Sequence, residues 1–209
     1  MVGQTCLHGH AVLMLVRPFR EINYLCSPKG SVMRKLAVLF LLAVSGLATA
    51  ADIDTDILGF TLAGSNPAAT VQKELRARSR SFVFTDRYKN RKSVETTDIS
   101  YLGVHWRTSR FDIMNRKNRL YCVEFQTYFF FEEDADNVVG KLKGRFADQY
   151  GEPEESGDWL VWKGDNGILL TLQKSYAPSN DDEYYWYVVL SYIDSEGYNM
   201  IVNMPGGEL

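Results

Sequence analysis

The chain has 209 residues, 45% of them hydrophobic, 13% aromatic and 23% charged, with a formal net charge of −3. That is enough apolar residue to bury the core of one domain and too much for a disordered tail, and the negative balance speaks against a nucleic-acid partner. Three cysteines and three histidines exclude a disulfide scaffold and leave little for a zinc domain.

In chain order, residues 1–32 read as an upstream segment outside the working protein. Met33, Arg34 and Lys35 then form a short positive start, Leu36 to Val44 is apolar, and Ala48, Thr49 and Ala50 supply the small residues that a signal peptidase accepts. The pattern predicts a cleavable signal peptide over 33–50, cut after Ala50, and a single domain over 51–209. The apolar run falls short of the roughly 20 residues needed to span a bilayer, so no stable membrane anchor is expected after cleavage. Ala51 stands where a lipoprotein would carry its lipidated cysteine. Residues 1–50 hold five of the 23 basic and one of the 26 acidic side chains, so the mature 159 residues carry 18 basic and 25 acidic ones, a net charge of −7. The mature chain keeps only Cys122 and His105 of their types and has no Asn-x-Ser/Thr acceptor, which fits a bacterial periplasm or secretion from it.

Asp52 to Asp56 alternates acids and is expected to fray. Ile57 to Leu62 is short and apolar, and the string of Ile57, Leu58, Gly59, Phe60, Thr61 and Leu62 ahead of a capped helix is loosely similar to small bacterial envelope proteins that pack helices on a sheet, a motif too widespread to assign a family. Asn66 can cap, Pro67 can open a helix, and Ala68, Val71 and Leu75 share one stripe, predicting a helix to about Arg78. Phe82 to Phe84, Leu102 to Trp106 and Phe111 to Ile113 read as strands. Leu120 to Phe131 is the longest strand candidate, with Tyr121, Val123, Phe125, Phe129 and Phe131 on one face and Cys122, Glu124 and Gln126 on the other.

The period then changes. Ala135, Val139, Leu142, Phe146 and Tyr150 predict an amphipathic helix with Asp134 as cap and Gly151 as stop, and Gly140 and Gly144 suggest close approach of that helix to the sheet. Trp159 to Lys163 and Ile168 to Leu172 flank Gly164, Asp165, Asn166 and Gly167, a tight-hairpin signal. Tyr184 to Ile193 is the last long strand, with Tyr184 and Trp186 assigned to the core; Pro205, Gly206 and Gly207 end ordered structure. The expected class is α+β: an antiparallel sheet of about six to seven strands with two helices on one face, and the two helix-then-strands blocks suggest a degenerate duplication.

Little in the sequence carries chemistry. Nucleophilic catalysis would need Cys122 or a serine paired with a base, and His105 is the one histidine of the mature chain for that duty, so a Cys122 and His105 dyad is the pairing to look for. Asp52, Asp54 and Asp56 resemble the start of a calcium loop, but Ile57 and Ala63 stand where glycine and the closing acid belong. No nucleophile elbow, zinc-binding helix or phosphate loop occurs, so no catalytic residue, metal or cofactor is assigned. The charge distribution says more. Residues 71–120 hold 13 basic and 5 acidic side chains, a balance of +8, whereas 121–209 hold 5 and 17, a balance of −12. Arg87, Lys89, Arg91 and Lys92 are expected in one loop and Arg116, Lys117 and Arg119 in another; in a simple meander both emerge at one end and gather seven cations. Tyr185 and Tyr187 form the second face of the last strand. These nine residues are the candidate binding set, suited to an anionic envelope component or an acidic protein surface. The expectation is a non-catalytic envelope binding domain, with an inhibitor or immunity role as a subtype; the alternative is a small carboxylate-dependent hydrolase.

Overall fold

The computed structural model describes residues 51–78, 83–87, 90–179 and 183–203, with the backbone alone for 83–87. The expected upstream segment and signal peptide, Phe82 of the expected first strand, Lys89 and the Pro205 tail lie outside these residues. The described residues of Ala48–Ala177 and Tyr184–Glu208 belong to one compact unit.

The chain opens with a two-stranded ribbon, β1 (Asp56–Ile57) and β2 (Phe60–Thr61). Its two-residue turn places Leu58 at φ +56° and Gly59 at φ +79°, the left-handed pair that matches the twist of a tight hairpin, and Asp56 accepts the Gly59 N–H at 2.7 Å. Asp54 likewise accepts the Asp56 N–H, so these acids shape turns. Ile53, Ile57, Phe60 and Leu62 are buried.

Helix α1 spans Ala68–Arg78 and buries the predicted Ala68, Val71 and Leu75. Asn66 does not cap it as an acceptor; its side-chain amide donates to the carbonyls of Thr61 and Gly64 and fixes the entry loop instead. Four strands follow: β3 (Val83–Arg87), β4 (Arg91–Tyr101), β5 (Val104–Met114) and β6 (Arg119–Phe129). Helix α2 (Glu132–Tyr150) precedes four more, β7 (Glu154–Ser156), β8 (Trp159–Lys163), β9 (Ile168–Pro178) and β10 (Tyr184–Asp194). A short helix, α3 (Ser195–Val202), comes last and was not expected from the sequence.

The fold is α+β, built on one sheet with order β3-β4-β5-β6-β10-β9-β8-β7. The count exceeds the expected six to seven strands because β4 and β7 do not announce themselves: Arg91–Tyr101 carries charged and hydroxyl side chains in place of an apolar alternation, and β7 has three residues, all exposed. Each half is a helix followed by a four-strand meander, and the halves join where β10 runs antiparallel to β6, with Trp186 opposite Phe129 and Ile193 opposite Cys122. Residues from α1, α2 and the ribbon share a single core with one face of the sheet, through Trp106, Phe111, Val123, Phe125, Leu170 and Leu190.

Two irregularities redirect side chains. Between β5 and β6 the register shifts, so that Leu120 faces Ile113 and Cys122 faces Asp112; Tyr121 is the extra residue and leaves the face on which alternation had placed it. In β4, Asp98 at φ +55° separates Val94 from Ile99, both in the helix-side core although their spacing is odd. The tip beyond it reaches the helix layer, where Lys141 donates to the Gly103 carbonyl at 3.3 Å.

Helix α2 buries Ala135, Leu142 and Phe146, but Gly140 and Gly144 are exposed and a Cβ added to either meets nothing within 4 Å. They mark the solvent face, not a close approach. Phe131, not Asp134, occupies the cap position, without a side-chain cap, because β6 runs straight into the helix. The Gly151 stop stands as predicted: its N–H donates to Ala147, and its carbonyl accepts Trp162 Nε1 at 2.8 Å.

Candidate functional site

The sheet face away from α1 and α2 carries a row of ionised groups. Asp112, 2% exposed, accepts a hydrogen bond from the Ser93 hydroxyl and lies 3.3 Å from Arg110 Nε and 3.9 Å from Arg91 Nη1. Arg110 Nη2 is 3.3 Å from Glu124, and Glu95, also buried, stands opposite Arg110 in the β4–β5 ladder. Guanidinium groups stand against Asp112 and Glu124, an arrangement that fixes strand register. Burial raises the Tyr121 hydroxyl far above its ordinary value beside Asp112 and Arg91.

Cys122 and His105 do not form a dyad. Cys122 is buried and pairs with Asp112, while His105 lies at the other end of β5, exposed and 3.4 Å from Asp98; the two are separated by roughly 23 Å of strand. Among the described residues no group of three His, Cys, Asp or Glu side chains is placed to hold a metal ion.

The two turns expected to gather cations do lie at one end of the sheet: Arg91 pairs with Met114, and the Asn115 N–H donates to the Asn90 carbonyl at 3.0 Å. The side chains diverge. Arg91 and Lys92 open strand β4 instead of lying in a loop, and Arg91 is turned toward Asp112. Arg119 opens β6 and is tied by a two-pronged contact to Asp194, Nε to Oδ2 at 2.5 Å and Nη2 to Oδ1 at 3.0 Å, with Glu196 at 2.8 Å. The Asp194 hydrogen bond holds the Arg119 guanidinium above its ordinary pKa. Arg116 and Lys117 alone of the described cations here stand fully out in the turn. Arg87 ends β3 by its backbone.

The opposite end of the sheet is aromatic. Phe130 is 65% exposed, Phe131 73%, Tyr176 55% and Tyr184 54%. Phe131 is therefore not a strand residue and Tyr184 not a core residue: the β6 alternation ends at Phe129, and the start of β10 runs past the core. Tyr185, half-buried, contacts Phe130 and Tyr128, each at 4.8 Å between ring centroids; Tyr187 is buried against Tyr128 at 5.9 Å. Tyr176 packs on Trp186 at 4.7 Å and on Tyr184 at 5.2 Å. Two of the chain's own cations sit on these rings. Arg107 lies 4.3 Å over Tyr128, and Lys174 Nζ lies 4.7 Å over Trp186 while bonding Glu132 at 2.9 Å and Asp136. The bond to Asp136, then that to Glu132, raises the Lys174 pKa.

The candidate set thus divides. Tyr185 joins the aromatic end and Tyr187 lies beneath it, while Arg91 and Arg119 serve the fold. Phe130, Phe131, Tyr176 and Lys174 were missed; two aromatics directly ahead of Glu132, Glu133 and Asp134 were the available signal, because a strand cannot keep its alternation into a helix start. No family model matches the chain, and neither a curated protein nor a solved structure was found to resemble it.

Proposed function

We propose that this is an exported, non-catalytic binding domain of the bacterial envelope that docks a protein partner through the aromatic end of its sheet. One observation carries the reading: four large aromatic side chains, each more than half exposed, stand at one end of the sheet, Tyr176 against Tyr184 on one face, Phe130 against Tyr185 on the other and Phe131 at the start of α2. Such rings offer large contact area with little rotamer freedom to lose, and exposed aromatic side chains gathered at one end of a sheet suit an interaction surface. An inhibitor or immunity role is a subtype of this reading. The basic turn, reduced to Arg116, Lys117 and Lys92 among the described side chains, is a secondary contact for an anionic envelope component.

Export rests on the 33–50 signal pattern; mature protein recovered from cells should begin at Ala51 by intact mass. No described helix is long and apolar enough to cross a membrane. The two helix-plus-four-strand halves are in keeping with an ancestral duplication. The hydrolase alternative would draw on Glu95, Asp112 or Glu124, and the arginines that engage Asp112 and Glu124 speak against it.

The test is a photo-crosslinking residue placed at position 131 or 184 in cells that make the protein, with position 154 on the β7 edge as control. A discrete adduct from 131 and 184 but not from 154 is the expected result. No adduct from either aromatic position overturns the reading.

A further inference from the structure

The aromatic end states its own preference for charge. Lys174 is seated between the Trp186 ring and two carboxylates, those of Glu132 and Asp136. The same ingredients recur beside it: Tyr176 and Tyr184 extend the Trp186 stack outward, and Phe131 stands ahead of Glu133 and Asp134, all exposed, next to the Glu132 that Lys174 holds. On the other side of the sheet, Arg107 over Tyr128 repeats the pairing next to Tyr185 and Phe130.

The local field is negative despite the helix start. A helix N-terminus carries about half a positive charge; with Lys174 set against Glu132 and Asp136, the carboxylates of Glu132, Glu133, Asp134 and Asp136 still outweigh the two together. Residues 121–209 as a whole hold 17 acidic against 5 basic side chains. An acidic partner would set like charges against Glu132, Glu133 and Asp134. A neutral one would strip water from those carboxylates and return no counter-charge. A cation answers both the rings and the acids, since an aromatic face attracts positive charge through its quadrupole.

We infer that the partner docked at this end presents a basic segment, lysine or arginine side chains set among apolar ones, seated on the exposed rings as Lys174 is seated on Trp186. The inference rests on the aromatic end being a docking surface, and the experiment separates the two.

Three acetylated hexapeptides, alternating lysine, serine or glutamate with leucine, are titrated into the purified mature chain at low salt, with tryptophan fluorescence or calorimetry as readout. The lysine peptide is expected to bind at least about tenfold more tightly than the serine peptide, and the glutamate peptide not at all. Phe131→Ser with Tyr184→Ser lowers the lysine-peptide affinity about tenfold, and Glu133→Gln with Asp134→Asn lowers it several-fold and flattens its salt dependence. Lys174→Met, which vacates the Trp186 seat, tightens lysine-peptide binding. Equal binding of the serine and lysine peptides, both weakened by the aromatic pair of substitutions, overturns the basic segment and leaves the docking surface standing. Peptides that bind that variant as tightly as the native chain overturn both. A loss with Glu154→Gln and Glu155→Gln as large as that with Glu133→Gln and Asp134→Asn shows bulk charge instead of a seat and overturns the inference. So does a self-association abolished by Phe131→Ser with Tyr184→Ser, which makes a second copy the occupant.

Discussion

Strand β6 begins at Arg119 and finishes at Phe129, and its two ends are opposite in kind. At the first, a side chain that could have been a free surface cation is fastened to Asp194 and Glu196, and α3 closes over Tyr121 beside it. At the second, rings that could have been core stand in water. Charge is locked away where it looked available, and apolar surface is left open where it looked enclosed. Residue type alone decides neither outcome; what decides is which strand pairs with which, since Arg119 meets Asp194 only because β10 inserts beside β6.

The sharpest way to break this contrast is to open the closed end. Asp194 is 3% exposed, so Arg119→Met leaves a buried carboxylate without its partner and should lower stability by about 3–5 kcal/mol in urea unfolding. A loss under about 0.5 kcal/mol would mean that the pair is an ordinary surface contact. Next comes Gly197→Ala. Its Cβ would meet Tyr121 Cβ at 2.7 Å and Asp194 Oδ2 at 2.5 Å, so α3 must shift, at about 1–3 kcal/mol.

Alkaline pH probes the buried hydroxyls of β4 and β10. Burial raises the pKa values of Tyr192 and Tyr101, whose hydroxyls lie 3.2 Å apart, above that of a free tyrosine. Above pH 10 the unfolded chain releases these protons and the folded chain keeps them, so stability present below that pH is lost as pH rises. Tyr192→Phe should reduce the loss measured between pH 9 and pH 11 by about 1.4 kcal/mol. An unchanged slope would contradict the burial. The smallest effects are expected at the exposed residues: Arg116→Ala with Lys117→Ala, and Phe131→Ser with Tyr184→Ser, should each shift stability by no more than about 0.5 kcal/mol, the second pair nevertheless lowering lysine-peptide affinity about tenfold.

The elements governed by a simple period were legible: the stripe of α1, the four-residue rhythm of α2, the hairpin at Gly164 to Gly167, and the alternation of Val123 and Phe125. What escaped was set by contacts between distant residues. The shift that turns Tyr121 away depends on how β6 meets β5. Tyr184 looked buried because alternation says which face a side chain takes and not how far the neighbouring layer extends over it. The cations of the basic turns were visible as a cluster, but their acid partners lie on β5, β10 and α3, and no local spacing links Arg119 to Asp194.

The central seam of the sheet also fixes an order of events. β10, the last strand to be made, must enter the middle of the sheet beside β6, joining residues roughly 60–70 positions apart, so the seam is the slow, non-local step. A ribosome adding about 5–20 residues per second leaves β6 without its neighbour for several seconds after it emerges, and emergence in the same order from an export channel would reopen that interval. During it the β6 edge offers unpaired backbone flanked by Val123, Phe125 and Phe129, a template for any passing strand. The newborn chain is thus open at its centre, whereas the finished one exposes its large rings at the rim. A holding chaperone that recognises extended apolar segments would matter to the first condition and be irrelevant to the second.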